Sequence, residues 1–225
     1  MARTIAIGDI HGCSMALASV LRAVQPSQED TLVLLGDYID CGLDSSGVLD
    51  RLIELESCCR LVPLLGNHEE MLLSARHSRK ALEFWLNCGG VSTLDSYGFG
   101  TRLANIPERH WRFLDRCLPF FETETHLFAH ANCLPTFALK DQPGDVLRWL
   151  SLEDFVPGPH ISGKVVVVGH TPQTSGAVLN LGHLLCLDTF VQGGGWLTAL
   201  DIATGQMWQA DERGRMRGEQ ADASR

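Results

Sequence analysis

The sequence predicts an α/β fold built on a two-layered sheet core, and three observations predict it. Short, continuous apolar runs recur along the chain, each stops abruptly at a polar cluster, and segments of helical character lie between the first three. Thr4-Ile5-Ala6-Ile7 leads to Gly8-Asp9-Ile10-His11-Gly12, and Thr31-Leu32-Val33-Leu34-Leu35 leads to Gly36-Asp37-Tyr38-Ile39-Asp40. Arg60-Leu61-Val62-Pro63-Leu64-Leu65 leads to Gly66-Asn67-His68-Glu69. His126-Leu127-Phe128-Ala129 leads to His130-Ala131-Asn132, and Lys164-Val165-Val166-Val167-Val168 leads to Gly169-His170-Thr171. Runs of this kind suit strands buried on both faces.

Helical patterns fall at Ser14–Val24, Ser45–Leu55 and residues 69–74. The βαβα alternation predicts a largely parallel sheet with helices on its faces. Ligands of such sheets bind at the carboxyl ends of the strands, where all five polar clusters fall. Further helices are expected at residues 80–87 and 107–118, with Pro107 in a first helical turn. After His170 the pattern changes: residues 184–187, 196–201 and 206–210 read as strands, separated by Gly193-Gly194-Gly195 and Thr204-Gly205. They are expected to form a second, more antiparallel sheet. Residues 1–210 are read as one domain, and the polar stretch 211–225 as a flexible tail.

The 225 residues suffice for one sizeable core. A net charge of −9 offers no general attraction for nucleic acid or an anionic membrane, so neither is expected as a partner. Eight cysteines at irregular spacings contain no CxxC pair, which argues against a zinc ribbon or a thioredoxin-type motif. Charges at Arg3 and Asp9 leave no apolar region for a signal peptide, and runs such as Val165–Val168 are far below membrane-spanning length. The expectation is a reduced, cytoplasmic protein, with no sequence signature of its oligomeric state.

The five strand ends deliver Asp9, His11, Asp37, Asp40, Asn67, His68, His130 and His170. All are nitrogen or oxygen donors, and mixed imidazole and carboxylate ligation suits Mn, Fe or Zn as divalent ions. One carboxylate bridging two ions, roughly 3.5–4 Å apart, would make the clamp used for in-line displacement at phosphorus. Bound cations would also reverse, locally, the sign of an acidic chain facing an anionic substrate.

In their order, the clusters Gly8-Asp9-Ile10-His11-Gly12, Gly36-Asp37-Tyr38-Ile39-Asp40 and Gly66-Asn67-His68-Glu69 resemble the phosphoprotein phosphatases among the calcineurin-like metallophosphoesterases. His130 and Gly169-His170-Thr171 match as well, in the style of bacterial members, and the resemblance spans residues 3–201. It implies a calcineurin-like metallophosphoesterase fold, a central two-layered mixed β-sandwich flanked by helices. It also implies that Asp9, His11 and Asp37 hold one metal, and that Asp37 bridges to a second completed by Asn67, His130 and His170. Manganese is the leading candidate, with Fe or Zn as alternatives. His68 would be the general acid, oriented and kept protonated by Asp40, a sensible pairing because a nearby carboxylate raises an imidazole's pKa. A hydroxide bridging the metals would attack phosphorus directly.

The chain departs from the family at Cys41, where most members carry a phosphate-clamping arginine, and a lost guanidinium weakens phosphate binding. Cys41 reads as an uncharged space-filler. Asn132 stands where many relatives have glycine. Arg148, the one arginine between the fourth and fifth motifs, is the candidate for the second phosphate-binding arginine, with Asn67 also facing substrate. The resemblance implies hydrolysis of phosphate monoesters, of phosphoserine and phosphothreonine type in proteins or of small esters. The alternatives are a dinucleoside polyphosphate hydrolase and a catalytically impaired, metal-binding regulatory module. His77, His110, His126 and His160 are read as structural and His183 as a strand cap. The five tryptophans are read as packing residues, with Trp149 able to line the cleft, and Asp188 as a hydrogen-bonding residue behind the ligands.

Overall fold

A computed structural model of the chain describes residues 2–218. The first half winds as expected: β1 (Thr4–Ile7), α1 (Ser14–Val24), β2 (Thr31–Leu34), α2 (Ser45–Leu55), β3 (Arg60–Pro63) and α3 (Asn67–Ala75). Helices α4 (Arg79–Trp85), α5 (Val91–Ser96) and α6 (Glu108–Leu114) follow, with a π turn at Leu86–Gly90 between the first two. Then come β4 (Phe121–Glu122), β5 (His126–Phe128), α7 (Gly144–Trp149), β6 (Val165–Val168), β7 (Leu179–Asn180), β8 (Leu184–Cys186), β9 (Leu197–Asp201) and β10 (Met207–Ala210). Among the described residues no helix is long and apolar enough to cross a membrane.

Two five-stranded mixed sheets result, in the orders β10-β9-β1-β2-β3 and β4-β5-β6-β8-β7. Their allocation corrects one expectation. The strands after His170 do not make a sheet of their own: β9 joins the first sheet antiparallel to β1 and β10 pairs antiparallel with β9, while β8 pairs parallel with β6. The second sheet is built instead around β5 and β6, two of the five strands that end in polar clusters. Periodicity gives strands but not partners, because the pairing of Ile5 with Asp201 closes a loop of most of the chain.

Strand alternation sorts the core into layers. Ile5, Ile7, Leu32 and Leu34 turn outward and pack under α1 and α2, whose buried stripe includes Leu17, Val20, Val48 and Leu52. Ala6, Val33 and Leu35 turn inward to meet Phe128, Val167 and Leu187 of the second sheet. Leu127, Val166 and Val168 face the far side, where Leu147 of α7 and Leu152 cover them. The order is helices, sheet, sheet, helix, a sandwich flanked by helices.

Smaller features follow local chemistry. Asp44 caps α2 by accepting from the Gly47 N–H at 3.0 Å. Pro63 is tolerated in a strand because β3 lies at a sheet edge. Pro107 sits as the N-cap of α6 rather than inside its first turn. Buried Asp30, just before β2, accepts from the Arg3 backbone N–H (3.1 Å), from Arg3 Nε (3.1 Å) and Nη2 (2.6 Å), and from the backbone N–H and hydroxyl of Ser27. The tail expected from Asp211 is corrected in its first part. Residues 211–218 fold back, Ala210 bridges Met216, and Arg217 donates to Gly176 O and Gln209 Oε1; residues 219–225 lie outside the described residues.

Candidate functional site

The carboxyl ends of β1, β2 and β3 in one sheet and of β5 and β6 in the other open onto one edge of the sandwich. The chain leaves these strands in sharp turns with unusual backbone. Seven non-glycine residues among those described have φ in the left-handed region, and His11, Asp37, Asp40, Cys41 and His170 are five of them. Each such residue costs about 1 kcal/mol or more, and such strain concentrates where side chains must be aimed. Close approach also dictates two glycines. A Cβ on Gly36 would lie 2.7 Å from His130 Nδ1, and one on Gly66 would collide with the Asp37 carboxylate.

Asp37 lies at the centre, almost fully buried, and its two oxygens face different sides. Oδ2 is 3.6 Å from His11 Nε2 and 4.0 Å from His68 Nε2, while Oδ1 is 3.4 Å from His130 Nε2. Two donor sets able to hold a metal ion share it: His11, Asp37 and His68, and Asp37, His130 and His170. Asn67 joins the second set, its Oδ1 2.8 Å from His130 Nε2 and 3.0 Å from His170 Nδ1. Asp9 is not within either set's ligand spacing. Its Oδ2 accepts from the His170 backbone N–H at 2.9 Å, while its buried Oδ1 has no hydrogen-bond partner among the described residues.

Three imidazoles are oriented in the same manner. Nδ1 of His130 donates to Leu35 O at 2.7 Å, Nδ1 of His11 to Ile39 O at 3.1 Å, and Nε2 of His170 to Trp149 O at 3.2 Å. With one ring nitrogen spent on a backbone carbonyl, each neutral ring turns its lone pair inward, the pattern of metal-ligating histidines. The lone pairs of His130 and His170 thereby face Asn67 Oδ1, another acceptor. Acceptors aimed at acceptors, beside an orphaned carboxylate oxygen, are satisfied by a cation. The residues present therefore fit divalent metal ions.

Electrostatics agree. Burial lowers the pKa of His11 and His130, keeping their lone pairs free, and burial with His130 nearby pushes His170 down to about 4. Burial pushes the Asp37 carboxyl up, but His130, His68, His11 and His170 outweigh it and hold it well below the usual carboxylate range. Burial and the Asp188 and Asp37 charges raise Asp9, and burial lifts Asp188 to about 7. His68 is opposite in character. Burial would lower it, yet Asp37 and the hydrogen bond from its Nδ1 to Asp40 Oδ2 (2.8 Å) lift it to about 9.

Arg148 lies apart from this cluster. It is largely buried, with its Nη2 2.7 Å from Glu70 Oε1 and its buried Nε without a hydrogen-bond partner among the described residues. Glu70 also accepts from Trp149 Nε1 at 2.6 Å, so one carboxylate holds both residues at the edge of the site, beside the Trp149 carbonyl that orients His170. Cys41 is exposed overall but rests its thiol near Gly89 of the π turn, and partial desolvation there, with the Asp40 and Asp37 charges, pushes that thiol up to about 11, so it is protonated at neutral pH. Asn132 Nδ2 donates to Phe155 O at 2.8 Å, tying the fourth cluster to the loop after α7. Asp188 accepts from the Phe190 N–H at 3.0 Å. His183 bonds Pro157 O, outside the cluster.

Several contributors escape sequence reasoning. Buried Glu69 accepts the backbone N–H groups of Asp37 (2.8 Å), Tyr38 (2.8 Å) and Gly66 (3.1 Å), fixing the turn that aims Asp37. Its place beside His68 was the only signal. Trp85 and Thr93, read as packing or not singled out, both donate to Asp40.

Comparison with known proteins places this geometry. The model of the calcineurin-like phosphoesterase family matches residues 2–194. Serine/threonine-protein phosphatase 1 of Salmonella typhimurium is 34% identical over 149 residues, 64% of this chain and 61% of that protein. The symmetrical bis(5'-nucleosyl)-tetraphosphatase of an Acidovorax species is 42% identical over 76 residues, 33% of this chain and 26% of that protein. The chain thus spans less than two thirds of the length of either relative. Among solved structures, one provisionally named as a diadenosine tetraphosphatase superposes with a TM-score of 0.70 at 25% identity, covering 92% of both chains.

Proposed function

The chain belongs to the calcineurin-like phosphoesterase family, and from that premise we propose that it hydrolyses phosphate monoesters, with phosphoserine and phosphothreonine in proteins as the substrate class. The observation that carries the reading is the split of Asp37 between two donor sets, as a bridging carboxylate requires. Asp9, His11 and Asp37 would hold one divalent ion, and Asp37, Asn67, His130 and His170 the other, with manganese the leading candidate. Bound there, the pair supplies Lewis-acid polarisation of water and of the phosphoryl oxygens.

The protein's own groups do the rest. His68, anchored through Nδ1 to Asp40, keeps Nε2 on the Asp37 side of the ring, where it can hold a proton for the leaving oxygen. The backbone N–H of His68 bonds Asp37 Oδ1 at 3.2 Å, so acid and bridge are fixed to each other. Arg148 offers the guanidinium that grips phosphoryl oxygens, with Glu70 as its present partner.

The Salmonella relative, 34% identical over 149 residues, supports the protein-phosphatase assignment. A second reading, hydrolysis of diadenosine polyphosphates, draws on the Acidovorax relative and the neighbouring structure. Comparing kcat/KM of the manganese-loaded protein for a phosphoserine peptide and for diadenosine tetraphosphate separates the two. The peptide is expected to win, with His68→Asn losing the turnover. Absence of turnover on both substrates under every divalent metal would leave a metal-binding regulatory module.

A further inference from the structure

Behind the His68–Asp40 pair stands a tier of hydrogen bonds that none of the strand-end clusters supplies. Asp40 is completely buried. Its Oδ2 accepts from His68 Nδ1 at 2.8 Å and from the Trp85 indole Nε1 at 2.9 Å, and its Oδ1 accepts from the Thr93 hydroxyl at 2.6 Å. The single proton of that hydroxyl is spent on Asp40, so the 2.9 Å contact between Thr93 and Ser45 is filled by the Ser45 proton. The Asp40 backbone N–H lies 2.9 Å from Thr93 Oγ1 and 3.1 Å from Ser45 Oγ. Trp85, Thr93 and Ser45 are each fully buried, so their bonds are shielded from water.

Both new donors come from one unit of chain. Trp85 ends α4, the π turn Leu86–Gly90 follows, and Thr93 sits one turn into α5. Such π turns recur at functional sites, where they re-aim side chains. The seat of Trp85 is exact enough to need a glycine: a Cβ on Gly90 would fall 2.5 Å from two atoms of the indole. The sequence predicts a helix only to residue 87 here, yet the polar hydrogens of Trp85 and Thr93 end on one carboxylate.

The chemical consequence is orientation. With Trp85 fixing Oδ2 and Thr93 fixing Oδ1, the carboxylate cannot rotate, and one direction remains for the His68 Nδ1–H. The imidazole then has one pose, with its other nitrogen 4.0 Å from Asp37 Oδ2. We infer that Trp85 and Thr93 are positioning residues for phosphate-ester hydrolysis, locking Asp40 so that His68 delivers its Nε2 proton to the leaving oxygen. The inference rests on the proposed acid role of His68.

The test uses leaving-group dependence, which a merely structural residue does not alter. Phenyl phosphate departs as a basic phenolate and needs the acid, whereas 2,4-dinitrophenyl phosphate departs almost unaided. In the manganese-loaded full chain, Thr93→Val and Trp85→Phe are each expected to lower kcat on phenyl phosphate roughly tenfold, the scale of a lost hydrogen bond to a charged group. The loss on the dinitrophenyl ester is expected to be much smaller, and Thr93→Ser to recover most of the phenyl phosphate rate. A second readout needs no metal: in 15N-histidine-labelled protein the His68 Nδ1–H should exchange slowly, and exchange fast in Thr93→Val. Equal losses on both esters, or an unchanged His68 signal in both variants, overturn the positioning role. His68→Asn distinguishes the two layers of the argument. If it shows the steep leaving-group dependence and the Thr93 and Trp85 variants do not, the positioning inference alone falls. If it shows none, the acid assignment falls and takes the inference with it.

Discussion

Replacing Arg148 by alanine probes whether this chain has any guanidinium for phosphate, given that Cys41 supplies none. Arg148 is only 15% exposed, so a contact from it to a phosphoryl oxygen would be partly desolvated. A charge-assisted hydrogen bond in such a setting contributes about 1.5–3 kcal/mol, which predicts a fall in kcat/KM of roughly ten- to a hundredfold. The 2.7 Å bond to Glu70 competes for the same guanidinium. At a charge separation near 4 Å that pair could reach about 4 kcal/mol at an effective dielectric of 20, but partial exposure of Glu70 brings it nearer 1 kcal/mol. Glu70→Gln should therefore lower KM about fivefold, and only while Arg148 is present. Initial rates of the manganese-loaded parent, both single variants and the double variant on phenyl phosphate measure all four corners. An Arg148→Ala protein within twofold of the parent would refute the phosphate role, and a Glu70→Gln protein with a raised KM would make the pair a scaffold instead of a competitor.

Cys41→Arg should raise kcat/KM for small phosphate esters about tenfold, because it restores a guanidinium at an exposed residue whose left-handed φ of 66° is no harder for arginine than for cysteine. An unchanged or lower value from the same rate assay would mean the pocket favours substrates that an arginine excludes. Asp37→Asn should bind less metal than the parent by elemental analysis after equilibration with manganese, and equal ratios would contradict the shared carboxylate. Stability should depend on Asp30 in acid. The Arg3 hydrogen bonds, helped by those from Ser27, hold its carboxyl below the usual range, so its contribution is complete above the unfolded value of about 3.9 and is lost as pH falls through the folded value. Urea unfolding of parent and Asp30→Asn should differ by about 2–3 kcal/mol at pH 7 and converge toward pH 2; a gap independent of pH would exclude the ionic contribution.

Much of this molecule is legible in its sequence where the signal is local. Helices α1 and α2 fall where the 3.6-residue apolar stripe ends, and the strands before Asp9, Asp37 and His170 are announced by apolar runs cut off by polar residues. What is not legible is nearly always a long-range pairing. The sheet that receives β9 depends on a partner near the other end of the chain. Trp85 and Thr93 reach Asp40 across 45 and 53 residues, and a tryptophan indole bonding a carboxylate looks, in sequence, like any core tryptophan. The short strands β4 and β7, two residues each, carry too few side chains for any alternation to appear. Glu69 is a third kind of omission, since it acts on backbone N–H groups, which leave no imprint on side-chain patterns.

The division of the donors between sheets has a mechanical consequence. Asp9, Asp37 and Asn67 ride on one sheet and His130 and His170 on the other, so the second donor set straddles the gap between two slabs, set by the girth of what fills it. Ala6, Val33, Leu35, Phe128, Val167 and Leu187 act as shims. Trimming or thickening one of them, far from any reacting atom, would change how the two halves of the centre face each other, and any cation gripping both halves would fasten the slabs like a rivet.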